Sequence, residues 1–120
     1  MNEFSGLKAM VVEDEGGVAL LVEDMLLDLG FEIVASVARL ADACEVARTA
    51  ELNLALMDVN LRGEFVFPAA RILRERGVPF VFSTGYGDAG LPPEFRGTPL
   101  VAKPFAVEDL QRQIGVALSA

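Results

Sequence analysis

The 120-residue chain contains no histidine. That absence excludes His-ligated metal centres, Ser-His-Asp triads and any relay that would carry its own phosphohistidine. Cysteine is nearly missing as well. Cys44 stands alone, so no internal disulfide can form, and it reads as a small buried apolar residue in a reducing compartment. Basic residues number 10 against 18 acidic ones, the net charge is −8, and the positive charges are dispersed. Nucleic acid demands a clustered positive surface, so neither DNA nor RNA is an expected partner. No apolar run approaches a membrane span, and the opening MNEFSGLKAM lacks the charged-then-apolar layout of a signal peptide. A cytoplasmic protein with no membrane attachment is expected. Repeats, linkers and low-complexity tracts are also lacking.

What the chain does have is hydrophobic material, 52% of its residues, enough for one core at this length. Residues 1–120 are read as a single domain. Apolar runs at 7–12, 31–37, 52–57, 79–83 and 99–102 read as strands. Between them, Leu21, Val22, Met25, Leu26 and Leu29 keep helical spacing, as do Leu40, Ala41, Cys44 and Ala47. Further helices are expected from residue 67 to 76, with Pro68 in the first turn, and along Val107, Leu110, Ile114 and Leu118. Residues 59–64 read as a loop. Uniformly apolar strands alternating with helices imply an α/β fold, a doubly wound parallel sheet covered on both faces. One segment breaks the alternation: GYGDAGLPPEFRGT admits at most a turn or short helix, because Pro92 and Pro93 cannot lie inside one.

Ligands of such sheets bind at the carboxyl ends of the strands. Here the first strand ends on Glu13 and Asp14, the third on Asp58, the fourth on Ser83-Thr84-Gly85, and the fifth on Lys103-Pro104. Taken singly these residues have plainer readings, as caps, turns or solvated acids. Together they are an unusual set. Like charges about 4 Å apart repel by roughly 4 kcal/mol at an effective dielectric near 20, so clustered acids call for protonation, solvation or a cation. All-oxygen donors suit a hard ion, and Mg²⁺ accepts few protein ligands because it keeps its waters. A cation, Lys103 and the Thr84 hydroxyl around one carboxylate are what in-line attack on a phosphoryl group requires, with Asp58 as the nucleophile.

The stretches VVEDE (11–15), LALMDVNLRGE (54–64), PFVFSTGYGD (79–88) and VAKPF (101–105) resemble the receiver domain of two-component response regulators, a CheY-like family, over essentially the whole chain. The resemblance implies a flavodoxin-like five-stranded sheet in the order 2-1-3-4-5. It implies Asp58 as phosphoacceptor, with Thr84 and Lys103 contacting the phosphoryl group. Asp14 and Asp58 would bind Mg²⁺, Glu13 would help through water, and the Asn60 carbonyl would complete the site. The bond between Lys103 and Pro104 is commonly cis in such proteins. Three positions depart from the family pattern. Arg62 replaces a common proline, Leu100 replaces an aromatic residue whose rotation reports phosphorylation, and the fourth helix is shortened or irregular. These departures, with FSTGYG, resemble a mostly single-domain subgroup bearing a Phe-Ala-Thr-Gly-Tyr motif.

The resemblance implies a stand-alone receiver without an effector domain, charged by a histidine kinase or phosphotransfer protein. It would act as a relay, phosphate sink or partner-binding switch on a downstream protein, and not as an enzyme with an external substrate. Phosphoryl lifetime would depend on Asn60 and Tyr86. Two alternatives stay open. One is a receiver-like interaction scaffold that never becomes phosphorylated. The other is an aspartate-nucleophile phosphohydrolase, although Asn60 stands where the haloacid dehalogenase type places its acid/base Asp.

Overall fold

Strand β1 (Lys8–Val12) is apolar beyond its first residue because both of its faces are covered. In the computed structural model, which describes residues 3–85 and 90–119, Ala9 and Val11 pack into one core layer while Met10 and Val12 pack into the other. Strands β3 (Leu54–Asp58) and β6 (Phe80–Thr84) divide in the same way. Leu54, Leu56 and Val81 join Ala9, and Ala55, Met57, Phe80 and Phe82 join Met10. The period-two alternation of a strand is present, but apolar residues occupy both phases.

Helices α1 (Gly16–Asp28) and α4 (Val107–Ser119) close one layer through Val22, Leu26, Leu110 and Ile114. Helices α2 (Leu40–Thr49) and α3 (Phe67–Glu75) close the other through Ala43, Ala47, Ala70 and Leu73. Strand β2 (Glu32–Val37) lies at one edge and β7 (Leu100–Ala102) at the other, giving the order β2-β1-β3-β6-β7 with every neighbour parallel. Once a small hairpin is set apart, this is the expected 2-1-3-4-5 sheet.

That hairpin corrects the loop expected at 59–64. Strands β4 (Asn60–Leu61) and β5 (Glu64–Phe65) pair antiparallel across the two-residue turn Arg62-Gly63. Both turn residues have positive φ, 54° and 93°, as a type I′ turn requires. Asn60 Oδ1 accepts the Gly63 N–H at 2.6 Å and fastens the turn. Two-residue strands are too short to show an alternation, so the sequence carries no periodic signal for them.

Two helical positions also differ from expectation. Leu21 is 55% exposed, because α1 buries Ala19, Val22 and Leu26 instead. Cys44 is half-buried, packed against the α2–α3 core layer rather than enclosed in it. The described part of the proline-rich segment, residues 90–98, behaves as read, and residues 86–89 lie outside the described residues. Pro93–Phe95 forms a 3-10 turn, led in by Pro92. Phe95 from that turn is fully buried, stacked on Phe67 at 5.4 Å and edge-on to Phe82 at 5.6 Å. From α3, the Arg74 guanidinium covers its ring at 4.4 Å, and Arg71 Nε donates to Glu94 at 2.8 Å. Among the described residues no helix is long and apolar enough to cross a membrane.

Candidate functional site

Strand order reverses direction between β1 and β3, and the carboxyl ends of the parallel strands open at that point. Glu13 and Asp14 follow β1, Asp58 closes β3, Thr84 closes β6, and Lys103 follows β7. The register pairs Val12 with Met57 and Asp58 with Ser83, so these ends arrive level with one another. The Lys103–Pro104 peptide is cis.

Lys103 Nζ donates to Asp58 Oδ2 and to Glu13 Oε1, each at 2.8 Å. Glu13 is 5% exposed and Asp58 8%, so both acids depend on that ammonium as their counter-ion. The second oxygen of Glu13 accepts the Glu15 N–H at 3.1 Å, and Asp58 Oδ1 accepts the Asn60 N–H at 3.3 Å. Burial pushes the Glu13 carboxyl above its usual range, against the opposing hydrogen bonds from Lys103 and the Glu15 backbone; the charge of Asp58 adds to the rise. Burial alone would lower Lys103, but its hydrogen bonds to Asp58 and Glu13 prevail and hold it above the ordinary lysine value.

Glu13, Asp14 and Asp58 each offer an oxygen, and these atoms all lie within 4.8 Å of one another. Beside them opens a cavity of about 330 Å³ whose walls include Asp14, Asp58, Asn60, Arg62, Gly85 and Lys103. Thr84 is buried at its strand end. Its carbonyl accepts the Lys103 N–H at 2.8 Å, which ties β6 to the lysine loop. Tyr86, named from sequence as a flank of the attack path, lies outside the described residues.

No protein-family model matches the chain. Among solved structures, the receiver domain of the response regulator PhyR from Erythrobacter litoralis is 28% identical, covering 97% of this chain and 92% of its own, with a TM-score of 0.84. SdrG from Sphingomonas melonis Fr1 is 34% identical, with 96% of this chain and 98% of that one covered and a TM-score of 0.84. The chain belongs to the response regulator receiver family. A third receiver, from the sensor histidine kinase PA1611 of Pseudomonas aeruginosa PAO1, is 27% identical over 97% of this chain and all of its own, with a TM-score of 0.81. That structure has a magnesium ion coordinated in its active site cleft. The chain spans 57% of the length of the curated mycobacterial regulators that it matches at 29% identity.

The donor set of this receiver fits such an ion. Among the described residues three carboxylates converge with no nitrogen or sulfur ligand in the group, beside a cavity with room for retained waters. The fold therefore brings together Glu13, Asp14, Asp58 and Lys103, with Asn60 in the adjoining wall and Thr84 at the neighbouring strand end. Arg62 is the residue the sequence reading missed. Its Nη2 donates to the Asp14 carbonyl at 3.3 Å, and its Nε lies 3.5 Å from Asp14 Oδ2. The signal was the missing proline. Proline's fixed φ near −65° cannot occupy a position at +54°, so its absence marked a different turn.

Proposed function

We propose that this receiver is a phosphoryl acceptor in two-component signalling, charged on Asp58 by a histidine kinase or phosphotransfer protein in the cytoplasm. The observation that carries the proposal is Lys103, whose ammonium is fixed between Asp58 and Glu13 at the mouth of a cavity that a phosphoryl group could enter. In the reaction a carboxylate oxygen of Asp58 attacks phosphorus in line. The bond from phosphorus to the donor's nitrogen or oxygen breaks, and its electron pair leaves with the donor. An ammonium has three N–H donors; two are directed at carboxylates here, and the third serves an oxygen of the incoming group.

Asp14, Asp58 and the Asn60 carbonyl would hold Mg²⁺, with Glu13 acting through water. The ion would supply positive charge against the oxygens of the transferring group. Thr84, which closes β6 beside the end of β3, would contact the phosphoryl group through its hydroxyl. A shift of Thr84 in response to the added phosphoryl charge, in the strand end preceding the GYG segment, is the change a partner protein would sense. The receiver catalyses its own labelling and hydrolysis and is not an enzyme acting on an external substrate.

The test is labelling by acetyl phosphate with and without magnesium, followed by intact mass. One phosphoryl group per chain is expected in wild type and none in Asp58→Asn. Equal labelling of the variant would refute the assigned acceptor. Steady turnover of a phosphate ester would indicate the phosphohydrolase, and partner binding indifferent to acetyl phosphate would indicate the scaffold.

A further inference from the structure

Arg62 stands at the tip of the β4–β5 hairpin with a φ of 54°, a conformation for which glycine or asparagine is the usual occupant. Its guanidinium folds back to Asp14, touching both the carbonyl and Oδ2. Lys103 is committed to Glu13 and Asp58. Arg62 is thus the cation that answers the third acid of the cluster, and it stands in the wall of the same cavity.

We propose that Arg62 is a tethered counter-ion that competes with divalent cations for Asp14 and thereby sets the ion affinity of the site. The inference rests on the function proposed above, in which Asp14 is an ion ligand. A divalent ion on Asp14 repels the guanidinium and takes the oxygen it faces, so binding opens the pair. The Arg62 side chain is 80% exposed, and its contact with Asp14 has the modest strength of a surface ion pair. Opening it therefore tunes affinity without blocking the site. The guanidinium acts before the ion arrives and does not shape its coordination, so the effect is the same for ions of different size. Arg62 is in this sense a positioning residue for charge and not a ligand.

Calorimetric titration of the full chain with MgCl₂ and with MnCl₂ at low ionic strength tests this. The comparison is among wild type, Arg62→Asn, and Arg48→Asn as a control that removes a remote surface charge paired with Glu45. Arg62→Asn should bind both ions about threefold to fivefold more tightly, by the same factor for each, with Arg48→Asn unchanged. Asparagine accepts positive φ, so the hairpin is retained; if circular dichroism shows otherwise, Arg62→Gly replaces it. Unchanged or weaker binding by Arg62→Asn, equal tightening by Arg48→Asn, or different factors for the two ions overturns the proposal while leaving the ion site intact. A wild-type chain that binds neither ion overturns the ion site together with it.

Discussion

Lys103→Met keeps the aliphatic stem and deletes the ammonium. Glu13 and Asp58, 5% and 8% exposed, then confront each other without a counter-ion. Their facing oxygens lie within 4.8 Å, a separation at which two unit charges repel by ~3.5 kcal/mol at an effective dielectric near 20. Removing one partner from a fully buried pair costs ~3–5 kcal/mol. The lysine side chain is 24% exposed beside an open cavity, so water reduces that figure, and a loss of about 2–3 kcal/mol is expected at pH 7 in chelator. Against a typical domain stability of ~5–15 kcal/mol this is a large fraction.

Magnesium discriminates between an electrostatic loss and a packing loss. A divalent ion held by the same acids replaces the deleted charge, and without a competing ammonium it binds the variant more tightly than wild type. By linkage the variant then gains more stability from the ion, narrowing the gap by about 1 kcal/mol or more at saturation. Urea unfolding followed by far-ultraviolet circular dichroism suits a chain with no tryptophan and one tyrosine. A loss under about 0.5 kcal/mol in chelator, or a gap that magnesium leaves unchanged, would refute the account of Lys103 as the counter-ion that holds the site together.

The same lysine predicts an alkaline limb. Its raised value stabilises the folded state fully below the ordinary 10.5, and that contribution is lost as pH climbs through the higher folded value. Lys8 and Lys103 are the chain's two lysines, so stability measured above pH 10 should fall less steeply in Lys103→Met than in wild type, and parallel curves would contradict the assignment. On the other side of the sheet, Phe95→Ala empties a position in contact with Phe67, Phe80 and Phe82 and beneath Arg74. It should cost ~3–5 kcal/mol in chemical denaturation; a cost below about 1.5 kcal/mol would mean that the 3-10 turn is not anchored by this ring.

The layers of the fold were legible because the sequence met them twice. Residues such as Val11-Val12 and Leu54 to Met57 are apolar in both phases of a strand, which only a sheet covered on both faces permits. The face of α1 was not legible. Leu20, Leu21 and Leu27 are exposed while Val22 and Leu26 are buried, so the helix is apolar around most of its circumference and spacing cannot select the inward side. The carboxylates and Lys103 were legible as strand-end residues, since parallel topology alone carries every strand end to one edge. Thr84 met the same rule, closing β6 beside the end of β3.

Arg62 shows how a departure from a pattern can be misjudged. Taken only as the loss of a proline, it says nothing of the turn that takes its place. Yet the hairpin needs positive φ at two consecutive positions, and proline is excluded from both. Once Gly63 and the Asn60 side chain fix that turn, whatever occupies position 62 is held at a tip that reaches back toward the end of β1. An arginine there arrives at Asp14 through the geometry of the turn, with no large interface to hold it. The charge of the acidic cluster is therefore set by a short hairpin as well as by the sheet. On the counter-ion proposal, changes confined to residues 60–65 alter ion affinity while the five-stranded core stays as it is.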